Sequence, residues 1–204
     1  MAQVMPIVDL VFDGLEEVEV TDTSHCSWDE DKNRVDEAVQ SSVFNASALV
    51  SDDGIKKSLL QGASEVIPGL YVGSINDVEA VQRLGVNYVL NLAATSNHEV
   101  QNRSLRMLHI KAEDRRGYNL LSKHFGTCRE FIKRGLEDGG VLVHCQAGVN
   151  RSVAIVAAYL ISEERAKLSR VLSLLKEKRG MVLTNTCFIA ELVDHARNEG
   201  LLDL

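Results

Sequence analysis

From about residue 64 onward, apolar positions recur in two alternating rhythms. The segment from Val66 to Val72 is extended and is interrupted by Pro68-Gly69, a pair that makes a turn rather than continuing a strand. Asn76 to Leu84 has helical spacing and stops at Gly85. Asn87 to Leu92, Leu105 to Ile110 and Gly140 to His144 are short apolar runs of strand length. Between the last two, Asn119 to Leu136 predicts a helix, with Gly139-Gly140 breaking the chain before the strand.

From Ser152 onward the sequence reads as strongly helical. Ser152 to Ile161 is apolar around nearly its whole circumference, which predicts a buried central helix and not a surface one. Leu168, Val171, Leu172 and Leu175 form one further stripe, and Phe188, Leu192, Val193 and Ala196 another. Strands alternating with helices favour a compact α/β domain over residues 61–204. Residues 1–60 form an extension in which Val35, Ala38, Val39, Ser42, Val43 and Ala46 recur at helical spacing, a pattern that fits a packed helix, with a flexible acidic arm as the alternative.

Charge separates the same two parts. The net charge of −7 resides in the extension, which holds 13 acidic and four basic residues against 16 acidic and 18 basic in the remainder. A broadly neutral domain without a basic tract argues against a nucleic-acid partner. With 45% hydrophobic residues among 204 the chain can bury a sizeable core, yet no window of about 18 apolar residues predicts a membrane span. The start, Met1 to Pro6, lacks a basic region followed by a long apolar run, so a cytoplasmic or nuclear location is expected. Cys26, Cys128, Cys145 and Cys187 form neither a close zinc-ligand pair nor a disulfide framework.

Cys145 stands apart because of its neighbours. The run Val141-Leu142-Val143-His144-Cys145-Gln146-Ala147-Gly148-Val149-Asn150-Arg151-Ser152 is an apolar strand ending in cysteine, a short loop, and an arginine opening a helix. Such a loop holds a tetrahedral dianion: the backbone N–H groups of Gln146, Ala147, Gly148, Val149, Asn150 and Arg151 can point inward while the helix N-terminus adds a favourable field. Gly148 relieves the tight curve. A helix terminus and a nearby cation turn the thiol into a nucleophilic thiolate, and Arg151 offers a planar donor fork to two phosphoryl oxygens. Ser152 can donate to the sulfur, and His144 is expected to set loop geometry.

This run resembles the signature of the cysteine-dependent protein tyrosine phosphatase superfamily, in particular its dual-specificity branch. The likeness extends from Ile67-Pro68-Gly69-Leu70-Tyr71-Val72-Gly73 through Val89-Leu90-Asn91-Leu92-Ala93 to the terminal helices. It implies a central mixed sheet flanked by helices and a two-step hydrolysis through cysteinyl phosphate. Tyrosine and threonine or serine phosphoesters are the implied substrates, on a phosphorylated protein such as a signalling kinase. By the same resemblance Cys145 is the nucleophile, Arg151 the phosphate clamp and Asp114 the general acid, with Asn91 and Asn185 as supporting asparagines. Neither metal nor other cofactor is called for, since thiolate and arginine replace a two-metal site.

Several positions depart from the family pattern. Asn150 stands where serine is common, Thr184 where proline precedes the asparagine, Cys187 where glycine precedes Phe188, and Gly180 where proline follows Arg179. The last three are expected to affect a C-terminal turn and not the chemistry. Asn150-Arg151 is also similar to phosphatase-like RNA 5'-triphosphatases, so that activity, a phosphoglycan phosphatase and a phosphoprotein-binding adaptor stand as alternatives.

Overall fold

The computed structural model describes residues 62–94 and 105–203. The acidic extension, its expected helix and Cys26 lie outside the described residues. Five strands form one sheet: β1 (Ser64–Ile67), β2 (Leu70–Ser74), β3 (Tyr88–Asn91), β4 (Arg106–His109) and β5 (Val141–Cys145). Their order is β1-β2-β5-β3-β4, with β1 antiparallel to β2 and every other neighbouring pair parallel. The central mixed sheet flanked by helices is therefore present.

Pro68-Gly69 joins β1 to β2, and Gly69 has φ +80°, the conformation that the third residue of a type II turn requires. The two neighbouring sequence patterns thus become a hairpin. The helix predicted over Asn76 to Leu84 is different: Ile75–Ala80 is a 3₁₀ helix, and only α1 (Val81–Leu84) is α-helical. Asp77 accounts for part of this, because its Oδ2 accepts from both Ser74 N at 2.6 Å and Ser74 Oγ at 2.8 Å and cinches the first turn.

The strands alternate faces as a two-residue period demands. Leu70, Val72, Tyr88, Leu90, Val141 and Val143 enter the large core beneath the helices, whereas Val89 and Leu142 face a smaller cluster with Val78, Val81 and Val86. Four helices cover the large face: α2 (Leu120–Glu137), α3 (Arg151–Ser162), α4 (Leu168–Arg179) and α5 (Thr186–Asn198). Every residue of α3 from Arg151 to Ile161 is buried, as its all-round apolarity predicts. Each large aliphatic side chain there contributes roughly 1.5–3 kcal/mol by leaving water.

Side chains cap two of these helices at their N-termini. The first N–H groups of α2 are capped from afar, by Glu191 of α5: Oε1 accepts from Leu120 N at 2.9 Å and Oε2 from Leu121 N at 2.7 Å. α5 is capped by Asn185, whose Oδ1 accepts from Cys187 N at 3.2 Å. The Glu191 bonds tie the start of α2 to the middle of α5, while the Asn185 bond is local to α5.

Candidate active site

Parallel strands β2, β5 and β3 end side by side, with Ser74 in register with Cys145 and Asn91 with His144. Beyond that carboxyl edge residues 146–150 curl into α3, the place where open parallel sheets receive ligands.

The carbonyls of this loop are bound to groups around it. Gln146 O accepts from Ile75 N at 3.3 Å, Gly148 O from Arg179 Nε at 2.7 Å, and Val149 O from Leu183 N at 2.9 Å. Asn150 O accepts from Ala154 N at 2.8 Å. In a trans peptide the C=O and the following N–H point in opposite directions. Outward carbonyls at 146, 148 and 149 therefore turn the N–H groups of Ala147, Val149 and Asn150 inward. Gly148 has φ +69°, and a Cβ there would lie 2.6 Å from Gly73 O, so the curve needs glycine.

Cys145 sits at the floor of this cradle, 1% exposed, with Ser152 Oγ 3.3 Å from its sulfur. Ser152 Oγ is also 3.5 Å from Gly73 O, and its single proton serves one acceptor at a time. Burial alone would push the Cys145 thiol up. The Ser152 hydroxyl and N–H, the Arg151 charge and the Gly148 N–H outweigh it and hold the pKa below its ordinary value.

Arg151 is buried and anchored at one end: Nη1 donates to Leu92 O at 3.2 Å and Ala112 O at 3.0 Å. Its Nε is a buried donor without a hydrogen-bond partner, 3.7 Å from Asp114 Oδ2. Asp114 is brought there by the segment after β4, and its carboxylate accepts from the side-chain amides of Asn150 and Asn185. Thiol, guanidinium and carboxylate, 37 residues apart at most in sequence, thus surround one cradle.

The other expected supports behave less uniformly. Asn91 Oδ1 accepts from Ala93 N at 2.8 Å, shaping the turn whose Leu92 carbonyl holds Arg151, so its support of the loop is indirect. His144 makes only a 3.4 Å contact between Nδ1 and Cys145 O, and its buried Nε2 has no partner. Thr184 corrects an expectation: its Oγ1 donates to Asn150 Oδ1 at 3.2 Å, so this departure reaches the loop between Cys145 and Arg151 and is not confined to a C-terminal turn. Arg179 was not among the sequence candidates, because a cation in the last turn of an amphipathic helix reads as solvent-facing.

A thiol of depressed pKa in an anion cradle closed by arginine, on this sheet, defines a domain of the cysteine-based protein tyrosine phosphatase superfamily. Residues 70–198 match the family described as the dual specificity phosphatase catalytic domain, and the chain belongs to that family. Human dual specificity protein phosphatase 9 is 34% identical over 139 residues, which cover 66% of this chain and 36% of the relative. Human dual specificity protein phosphatase 26 is 33% identical over 156 residues, covering 71% and 73%. MAP kinase phosphatase with leucine-rich repeats protein 3 of Dictyostelium discoideum is 33% identical over 136 residues, covering 65% and 16%. The chain thus spans about a third of the first of these relatives and less of the last.

Among solved structures, DUSP15 superposes with a TM-score of 0.59 at 26% identity, over 68% of this chain and 95% of that one. The human tyrosine phosphatase-like serine/threonine/tyrosine-interacting protein superposes equally well, TM-score 0.59, at 24% identity over 67% and 97%. That likeness is one of fold, and it leaves function to the site residues.

Proposed function

We propose that the protein is a cysteine-dependent phosphomonoesterase that hydrolyses phosphotyrosine and phosphothreonine or phosphoserine on a phosphorylated protein. Cys145 Sγ attacks phosphorus as the ester P–O bond breaks, and the departing oxygen takes its proton from Asp114. Water then attacks the cysteinyl phosphate, giving a proton to the Asp114 carboxylate. The S–P bond breaks, and phosphate leaves as the thiolate is restored. Arg151 and the inward N–H groups of Ala147, Val149 and Asn150 bind the phosphoryl oxygens throughout, and Ser152 steadies the thiolate as nucleophile and as leaving group.

The observation that carries this reading is the buried Arg151 Nε, which has no hydrogen-bond partner and lies 3.7 Å from Asp114 Oδ2, on the helix that begins at the loop Cys145 floors. A phosphoryl oxygen satisfies that donor and is neutralised by it. The presence of thiol, acid and arginine together favours turnover over phosphoprotein binding alone. Within the substrate class a phosphorylated signalling kinase is the first candidate, in line with the name of the amoebal relative.

The test is release of phosphate, in the presence of a chelator, from a panel of phosphopeptides, phosphoinositides, phosphoglycans and 5'-triphosphorylated RNA. Turnover of phosphopeptides that is lost in Cys145→Ser is the expected result. Turnover confined to RNA or glycan would reassign the substrate, and a fully active Cys145→Ser protein would reject the nucleophile.

A further inference from the structure

Asn150 is the N-cap of α3, a position where asparagine ordinarily turns its oxygen onto its own helix, yet its side chain makes no such bond. It is committed elsewhere. Its Oδ1 accepts from Asn185 N at 3.1 Å and from Thr184 Oγ1 at 3.2 Å. A backbone N–H can only donate, so the contact with Asn185 decides which way round the amide lies. Nδ2 then faces Asp114, 3.3 Å from Oδ1 and 3.2 Å from Oδ2.

A second amide converges on the same carboxylate. Asn185 Nδ2 donates to Asp114 Oδ1 at 3.1 Å and lies 3.4 Å from Arg115 O, while its Oδ1 caps α5. Three residues past Asp114, Gly117 N donates to Cys187 Sγ at 3.4 Å. The turn supplying these groups passes through Leu183 at φ +56°, a left-handed conformation that a leucine adopts only under constraint. Its N–H is thereby bonded to Val149 O. Asn150, Thr184 and Cys187 are three of the positions at which the chain departs from the family pattern, and all three lie in this one fastening.

We propose that Asn150, oriented by Thr184 and Asn185, is a positioning residue that holds Asp114 over the phosphate loop before substrate arrives. The proposal rests on Asp114 being the leaving-group acid. It differs from a role in shaping the cradle by its chemical signature. A distorted cradle weakens turnover of every phosphate ester, whereas a displaced acid penalises only esters whose leaving oxygen needs a proton.

The experiment measures kcat/KM of the full chain for aryl phosphates graded from dinitrophenyl to phenyl phosphate. The proteins are wild type, N150A, T184V, D114N and the N150A/D114N double variant, each with its melting curve. N150A is expected to lower phenyl phosphate turnover by about 10- to 100-fold and dinitrophenyl phosphate turnover by less than about threefold, since a displacement of about 1 Å can cost 10²-fold. T184V should move the series in the same direction by less, and it carries the test alone if N150A fails to fold. Once D114N is present, adding N150A should cost less than about threefold more, because both act through one carboxylate. Equal N150A losses across the series, or its full loss on the D114N background, would overturn the positioning role while selective D114N losses keep the acid assignment. Uniform losses in D114N itself would remove both.

Discussion

Arg179 lies fully buried at the end of α4 and donates through Nε to the carbonyl of Gly148 at 2.7 Å, so a cation from the helical layer holds the loop between Cys145 and Arg151 from behind. Nη1 reaches back to Gly62 O at 3.2 Å and Ser64 Oγ at 3.4 Å, tying the first strand to the same point. Burial lowers the pKa of this guanidinium, and the negative charges of Asp77 and Cys145 work against that shift.

Gly148 is the position least able to accept a side chain. An added Cβ would lie 2.3 Å from Arg179 Nη2 and 2.6 Å from Gly73 O, at a φ of +69°. Left-handed backbone costs a non-glycine residue roughly 1–2 kcal/mol, and overpacking adds about 1–3 kcal/mol. G148A is expected to lose at least about 2 kcal/mol by urea denaturation and nearly all turnover; wild-type stability with wild-type turnover would show that the loop yields freely.

Arg179→Met separates anchoring from charge. It leaves Gly148 O without its donor, a loss of about 1–3 kcal/mol for a buried acceptor. It also removes a cation that interacts with Cys145, so the Cys145 thiol pKa should rise. The measurement is the pH dependence of iodoacetamide alkylation at Cys145, expected to move to higher pH in R179M and less in R179K, which keeps the charge without the planar fork. An unmoved profile would limit Arg179 to a mechanical role.

How much of this was legible in the sequence depends on chain separation. The strand, loop and helix from Val141 to Ser152 are contiguous, so the apolar strand, the Cys145–Arg151-Ser152 spacing and Gly148 together sufficed to place the cradle. β3 and β4 fall inside the predicted runs and β5 runs one residue further, to Cys145; β3 and β5 are buried throughout, whereas β4 is a largely exposed edge strand. The 3₁₀ form of Ile75–Ala80 depends on the Asp77 carboxylate folding back on Ser74. Asp114 came from family resemblance, since a lone aspartate in a polar loop carries no pattern of its own. Arg179 on Gly148, and Thr184 on Asn150, join positions 31 and 34 residues apart. No periodicity encodes such pairs; they arise when α4 and the turn after it pack against the loop.

The thiols of Cys145 and Cys128 should differ sharply toward small alkylating agents. Cys128 is buried in the core, and burial pushes its pKa up to about 12 against the smaller opposing effect of a backbone hydrogen bond. Cys145 is equally buried but held below its ordinary value by the donors around it. Because the thiolate reacts, iodoacetamide at pH 6.5 is expected to label Cys145 about a hundredfold or more faster than Cys128 in the folded protein, read peptide by peptide in a mass spectrometer. Comparable rates would show that the cradle does not generate a thiolate.

His144 gives the fold a pH dependence of defined sign. The ring is 1% exposed beside Cys145, and burial is the chief reason its pKa falls from 6.5 to about 4. The Cys145 carbonyl and the charge of Asp77 oppose that fall, while His109 adds to it. In the folded protein the ring is therefore neutral at pH 7. In the unfolded chain it takes up a proton near pH 6.5. Between about pH 6.5 and 4 the unfolded state binds the extra proton, so folding stability is complete above that window and declines as pH falls through it. A depression of this size corresponds to about 3 kcal/mol at the acid end. Carboxylates elsewhere titrate in the same range, so the informative quantity is the difference between wild type and His144→Gln, which lacks the titrating ring but keeps hydrogen-bonding capacity. Unfolding free energies from urea denaturation at pH 7.5, 6, 5 and 4 should fall more steeply for wild type than for His144→Gln. Parallel curves would mean that His144 is protonated as readily inside the fold as outside it, and that the buried environment at the floor of the cradle is far more polar than its packing implies.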